Sequence, residues 1–521
     1  MKLKLLNILV IVGYLAVIHP IHAVADEEKD YQRPNILFVM ADDLNDFVGV
    51  MNNSTGVKTP NIDRLAANAS IFMNAHSNAP VCSPSRASLF SGILPHHSGQ
   101  YGFTNWRQNQ VLKDSRTIME QLSRAGYYSA GAGKLIHHQW PEAWDDFAIR
   151  PDYTPLAYDG NKTTGHPDGP APYNTEIGPL DATFIRLSKV PHVKPSDSAP
   201  GYQGWWYGGF KKPFRYESES DRDPLPDEMY AEWAAGKIQD WDREGLHTPF
   251  FLSVGFIRPH TPLVAPDRFF DMYPKDQIVL PDMPEGDEDD TWFEKLHKPG
   301  KSKGKIHYET LMQSFDSKDE ALRSYYQAYL ASISFMDEQL GVVLDALDDS
   351  RFKNNTIVIF TSDHGYNLGE KENLFKYNLW ERSTKVPLII YDPRTPVQQR
   401  IDEAVSLIDL YPTFTELAGT DNINGKGENS LGIDGNSLVS LMQGNDDSDR
   451  QALTVVVKGD TTNFALRTRH WRYIRYSNGK EELYDHRVDP DEFTNLADQP
   501  EARKVKTKLE ARLEVVTKDA K

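Results

Sequence analysis

One cysteine, Cys82, is present in 521 residues. Internal disulfides are thereby excluded, and a chain of this length must hold together by burial and hydrogen bonding instead. Long apolar runs are scarce as well. The longest extends from about Leu5 to Ile18 and falls short of the ~20 residues that span a bilayer, so no membrane anchor is expected. Basic residues are the minority, 57 against 75 acidic, for a net charge of −18. Nucleic acid, which needs a basic surface, is a poor partner for such a chain. No internal repeat is evident.

What is present begins with a leader. Lys2 and Lys4 precede the apolar run, and Ala23-Val24-Ala25 supplies small residues at a cleavable spacing. The pattern predicts an export signal over residues 1–25 and a periplasmic or secreted protein. The remainder alternates between two periods. Continuous apolar runs at Asn35–Ala41, Tyr127–Ala130, Pro249–Phe256, Thr356–Thr361 and Pro387–Tyr391 suit strands buried on both faces. Helical patterns at Asn61–Ala69, Ser115–Ala125, Tyr325–Leu347 and Leu407–Leu417 lie between them. The alternation predicts an α/β fold with a mostly parallel central sheet flanked by helices.

Residues 151 to about 235, rich in Gly, Pro and Tyr, interrupt that order and are expected to be an insertion ordered by aromatics such as Trp205, Trp206 and Tyr207. Beyond about residue 440 the runs Ala452–Val457 and Phe464–Tyr476, with a charged helix from about Pro500 to Val516, predict a smaller α+β domain carrying an antiparallel sheet. The expected division is a catalytic domain over 26–440 and a C-terminal part over 441–521.

Polar residues follow four of the expected strands: Asp42-Asp43, Lys134 with His137, Arg258 with His260, and Asp363-His364. In open α/β sheets the site lies beyond the carboxyl ends of the strands, so these clusters are expected to converge. Aspartates at strand ends also serve as ordinary caps and turns; an adjacent pair after one strand and Asp-His after another point further, to oxygen-rich binding of a divalent cation. Cys82 opens the stretch Val81-Cys-Ser-Pro-Ser-Arg86, whose Ser and Pro favour the first turn of a helix. Buried free cysteine is usually a small hydrophobe. At a helix N-terminus it faces N–H donors and a positive dipole end instead.

Cys82-Ser-Pro-Ser-Arg86 resembles the C-x-P-x-R signature of the type I sulfatases. The resemblance extends from Asn35 to Leu496, through Asp42-Asp43, Thr59-Pro-Asn-Ile-Asp63, Gly133-Lys134 with His137, Arg258-Pro-His260, Thr361-Ser-Asp-His-Gly365, Lys376 and Glu482-Leu-Tyr-Asp485. His364 and the spacing from Lys134 to His137 are most similar to the iduronate-2-sulfatase branch, which includes bacterial polysaccharide sulfatases. The resemblance implies an alkaline-phosphatase-like fold. It implies that a formylglycine-generating maturation enzyme converts Cys82 to Cα-formylglycine. It implies a Ca²⁺ held by Asp42, Asp43, Asp363, His364 and the modified residue 82.

The implied roles are specific. Arg86 holds the modified side chain and the aspartates, while Lys134 and Lys376 hold the sulfate charge. His260, assisted by Lys376, protonates the leaving oxygen, and His137 takes the proton that releases sulfate. The expected substrate is a sulfated carbohydrate, with algal polysaccharides such as ulvan or carrageenan placed first and a glycosaminoglycan-type uronate 2-sulfate second. Arg258, His97 and Trp106 are the candidate substrate contacts. The rival readings are a phosphonate or phosphodiester hydrolase of the same superfamily and a non-catalytic protein that binds sulfated glycans. N-terminal sequencing of the exported chain is expected to begin at Asp26; a chain that keeps Met1 overturns the leader.

Overall fold

The computed structural model describes residues 33–51, 54–138, 140–423, 425 and 431–518. The expected leader over 1–25 lies outside the described residues. Among the described residues no helix is long and apolar enough to cross a membrane.

The first strand, Asn35–Asp42, is buried along its whole length. Its side chains alternate between two cores, as a pleated strand requires. Leu37, Val39 and Ala41 enter one and Ile36, Phe38 and Met40 the other. The strand lies inside an eight-stranded sheet whose order is Gln399–Ile401, Ser70–Phe72, Leu388–Tyr391, Thr356–Ser362, Asn35–Asp42, Phe250–Pro259, Tyr128–Gly133 and Asp146–Phe147. Thr356–Ser362 and Phe250–Pro259 both flank the first strand in parallel. Tyr128–Gly133 continues the parallel set, and Leu388–Tyr391 enters antiparallel.

Helices cover both faces. Pro226–Glu244 and the long helix Lys318–Asp348 build the first core, through residues such as Tyr230, Ile238, Tyr326 and Phe335. Cys82–Ser91, Ile118–Arg124 and Leu410–Leu417 build the second, through Phe90, Met119 and Phe414 among others.

One expectation is corrected. The run Phe464–Tyr476 is not one strand. It divides into Thr461–Arg467 and Trp471–Arg475, which pair antiparallel across a turn at the polar Thr468-Arg469-His470. With Ala452–Lys458 and Glu481–Asp485 they form a four-stranded C-terminal sheet, packed under the helix Arg503–Val516 through Leu509 and Leu513. Within the expected insertion, residues from Pro226 onward are helical. Before that point its backbone is held in two-stranded ladders, such as Trp205–Tyr207 against Lys212–Phe214. Trp205 and Tyr207 are buried core residues, and Trp206 stacks on Tyr158.

The C-terminal sheet is joined to the rest by a buried charge network. Glu381 pairs with Arg467 at 3.1 Å and with Arg472. Arg472 also pairs with Glu492 at 2.6 Å, and Glu492 accepts from the Glu381 N–H and lies 3.0 Å from His486. Two guanidinium groups already occupy the space between these carboxylates, so the cluster is an ion-pair lock. Removing one partner of a buried pair strands the other. Glu381→Gln is expected to lower unfolding stability by about 3–5 kcal/mol, read from a urea or thermal unfolding curve.

Candidate functional site

The helix Cys82–Ser91 begins directly after extended Val81 and ends at Gly92, whose φ of 71° lies in the left-handed region that glycine tolerates. Cys82 occupies its first turn and is 2 % exposed. Arg86, four residues on, shares its face of the helix and is fully buried. The Arg86 Nε donates to Asp363 Oδ2 at 2.8 Å. Its Nη1 donates to the carbonyls of Lys134 and Leu135. Its Nη2 lies 3.7 Å from Asp42 Oδ1.

The ends of the parallel strands converge on this helix. Asp42 and Asp43 end the first strand, and Asp43 has φ 63°, an uncommon value for a residue with a side chain. Lys134 follows Gly133, where φ is 80° and an added Cβ would meet the Gly255 carbonyl at 2.2 Å; only glycine permits that approach. The Lys134 Nζ donates to Asp42 Oδ2, and the Lys376 Nζ donates to Asp43 Oδ1 and lies 3.5 Å from Cys82 Sγ. His364 donates through Nδ1 to the Gly365 carbonyl at 3.0 Å, which turns Nε2 toward Cys82 Sγ at 3.3 Å. One ligand atom each from Asp42, Asp43, Cys82 and His364 falls within a mutual 4.8 Å. Asp363 adjoins this group, 3.6 Å from His364 Nε2. One of its oxygens is taken by Arg86, and the other accepts the Asp43 N–H at 3.3 Å.

Burial and charge set the protonation states. Desolvation would raise the Asp42 carboxyl, but Lys134, His260, Arg86 and Lys376 overcome it and hold it well below the usual carboxylate range. Asp43 ends the other way, at about 7, because burial and the neighbouring Asp42 outweigh Lys376. Burial pushes the Cys82 thiol up. It pushes His260 and His364 down, reinforced for both by Lys376. His137 falls to about 3, from burial and then Lys134.

Cys82 and Lys376 open into a cavity of about 580 Å³. His137 and His260 line it, with aromatic rings of Tyr101, Phe103, Tyr153, Phe293, Phe375 and Tyr377. His260 donates through Nδ1 to the Thr261 carbonyl at 2.6 Å, and its Nε2 lies 3.9 Å from Asp43 Oδ2.

The three expected substrate contacts are not brought to this wall. Trp106 is buried among the side chains of the second core. His97 pairs with Asp434 at 2.9 Å. Arg258 is buried, with its guanidinium donating to the carbonyls of Val264, Thr154 and His260. All three satisfy folding needs that their residue types also serve. The residues that do line the cavity and were missed in the sequence include Tyr153, Asp181, Lys303 and Phe375. None belongs to a strand-end pair, and Lys303 merely opens the helix Lys303–Gln313, so no motif marks them.

Comparison with known proteins matches residues 34–420 to the family described as "Sulfatase" and residues 369–519 to "N-sulphoglucosamine sulphohydrolase, C-terminal". The chain belongs to the sulfatase family. A sulfatase of Formosa agariphila is 34% identical over 492 residues, covering 93% of this chain and 86% of that one. Human iduronate 2-sulfatase is 29% identical over 430 residues, 74% of this chain and 69% of its own. In fold, a phosphonate monoester hydrolase from Silicibacter pomeroyi superposes with a TM-score of 0.70 at 17% identity, covering 94% and 96% of the two chains. The fold is alkaline-phosphatase-like, and the chain is a sulfuric ester hydrolase.

Members of this family generally use a divalent metal, and the acidic cluster of this sulfatase fits one. Asp42 and Asp43 offer hard oxygen donors, with His364 Nε2 turned inward beside them. A millimolar divalent cation is expected to stabilise the wild-type protein, by about 2.7 kcal/mol at a hundredfold excess over Kd, read as a higher melting temperature. Asp42→Asn or Asp43→Asn is expected to abolish that increment.

Proposed function

We propose that this sulfatase is an exported enzyme that hydrolyses a sulfate ester on a carbohydrate, with Cys82 converted to Cα-formylglycine and Ca²⁺ held by Asp42, Asp43, Asp363 and His364. The observation that carries the proposal is the position of Cys82, in the first turn of a helix and inside an acidic cluster. Sulfur is the softest donor there and the one a hard cation most disfavours; its replacement by oxygen leaves the His364 nitrogen as the one non-oxygen donor of the set. In the bound state the metal supplies Lewis-acid polarisation of oxygen, and the hydrated aldehyde supplies the oxygen that attacks sulfur.

The chain's own residues perform the remaining work. Arg86, locked between Asp363 and the Lys134 and Leu135 carbonyls, holds the nucleophile helix against the strand ends. Lys134 and Lys376 are buried cations beside the cluster, placed to hold the charge of the sulfate group. His260 commits Nδ1 to a carbonyl, so Nε2 is the nitrogen that faces the site and protonates the leaving oxygen. Burial and Lys376 disfavour that proton, and the negative charge of a sulfate ester opposes Lys376. His137, held neutral and with a buried Nδ1 that has no hydrogen-bond partner among the described residues, accepts the proton that releases sulfate.

The aromatic wall supports a sugar, whose C–H faces pack on flat rings. The likeness to iduronate 2-sulfatase supports a uronate 2-sulfate as the second reading. Mass spectrometry of the peptide containing Cys82, made with a competent maturation enzyme, is expected to show a loss of about 18 Da, off the usual thiol oxidation ladder, and capture by a carbonyl reagent. An unmodified thiol there overturns the nucleophile. Oligosaccharides from ulvan, carrageenan and glycosaminoglycans, tested beside an aryl phosphate diester, then identify the substrate. Turnover of the diester alone would favour the phosphodiesterase reading.

A further inference from the structure

The inserted segment contributes one acidic side chain to the cavity, Asp181. Its placement follows from strand pairing. Phe184–Arg186 lies parallel to Leu263–Ala265 with Phe184 opposite Leu263, and the Leu263 N–H donates to the Thr183 carbonyl at 2.8 Å. Continuing that register back by two residues brings Ala182 opposite Thr261, the residue after His260, with Asp181 next along the chain. The contact is made. The Thr261 Oγ1 donates to Asp181 Oδ1 at 2.9 Å, while the Thr261 carbonyl accepts from His260 Nδ1 at 2.6 Å. Asp181 is itself fixed, because its other oxygen accepts from the Lys303 Nζ at 2.8 Å. The Lys303 Nζ in turn sits 4.1 Å from the centre of the Phe375 ring, next to Lys376.

We propose that Asp181 is a positioning residue for proton donation by His260: it clamps Thr261 through the Oγ1 hydrogen bond, and the Thr261 carbonyl thereby holds the imidazole with Nδ1–H bound and Nε2 aimed at the leaving oxygen. The inference rests on the role given to His260 above. In the step concerned, the S–O bond breaks as the Nε2 proton passes to the departing oxygen, and the electron pair of that bond stays with the oxygen. Desolvation would raise the Asp181 carboxyl, but Lys303 and His307 outweigh it and hold the group at about 2. It is therefore an anionic acceptor throughout the working range, and charge-assisted hydrogen bonds are the stronger kind.

A general acid matters most when the leaving group is a poor one. Turnover is therefore compared on 4-nitrophenyl sulfate, which leaves readily, and 4-methoxyphenyl sulfate, which does not. Each protein is first checked for conversion of Cys82. His260→Ala is expected to lose on the order of 100-fold more kcat on the methoxyphenyl ester than on the nitrophenyl ester. Asp181→Ala is expected to show the same selectivity at a smaller size, on the order of tenfold. Asp181→Asn, which keeps an acceptor for Thr261 Oγ1, is expected to restore most of it. If Asp181→Ala does not fold, Thr261→Val removes the same hydrogen bond from the other side and is judged by the same ratio. Equal losses on both esters, or no loss, while His260→Ala remains selective, overturn the role of Asp181. A non-selective His260→Ala overturns the acid assigned to His260 and this inference with it.

Discussion

Everything at the strand ends depends on enclosing one guanidinium. Arg86 has no exposed surface and cannot lose its charge, so folding must surround it with acceptors. It finds acceptors on two separate elements, Asp363 after one strand and two carbonyls in the loop after another, and an opposite charge 3.7 Å from Nη2 in Asp42 at the end of a third. The requirement to satisfy Arg86 is thus also the requirement that brings these strand ends to the nucleophile helix. Cys82 sits one helical turn earlier on the same face and is carried into the cluster by the same contacts.

The ionic cluster is balanced in sign. Arg86, Lys134 and Lys376 face Asp42, Asp43 and Asp363, all buried. Six buried charges of one or two signs in excess would be very costly; three against three, each in contact with a partner, are tolerable. Balance also leaves the site responsive. Under the proposed function, a cation and a sulfate would find partners among the carboxylates and lysines already present, with no new charge buried alone.

Much of this was legible in the sequence. The strands with both faces buried announced themselves as unbroken apolar runs, and the polar pairs that follow them do meet at one edge of the sheet. Asp42, Asp43, Asp363, His364, Lys134, His260 and Lys376 were readable because each lies at or near a strand end or within a motif of fixed spacing. Asp181, Lys303 and Tyr153 were not. Asp181 and Tyr153 are placed by irregular backbone whose path is set by long-range pairing, such as Phe184 against Leu263, which no local period records, and Lys303 opens the helix Lys303–Gln313 without any site motif around it. Trp106, His97 and Arg258 drew attention by residue type, yet a buried indole, a paired imidazole and a carbonyl-bound guanidinium are common structural devices. The turn at Thr468–His470 was lost inside a run that otherwise reads as continuous strand.

The burial of Cys82 imposes an order on the life of the molecule. A thiol with 2 % exposure, in a cavity lined by aromatic rings and with the Lys376 Nζ 3.5 Å from its sulfur, is out of reach of another protein's active site. Any enzyme that oxidises it must act on the chain before the surrounding strands close. Under the proposed conversion of Cys82, maturation and folding would therefore be in competition. The active fraction of a preparation becomes a record of relative rates during synthesis, fixed before the protein first meets a substrate.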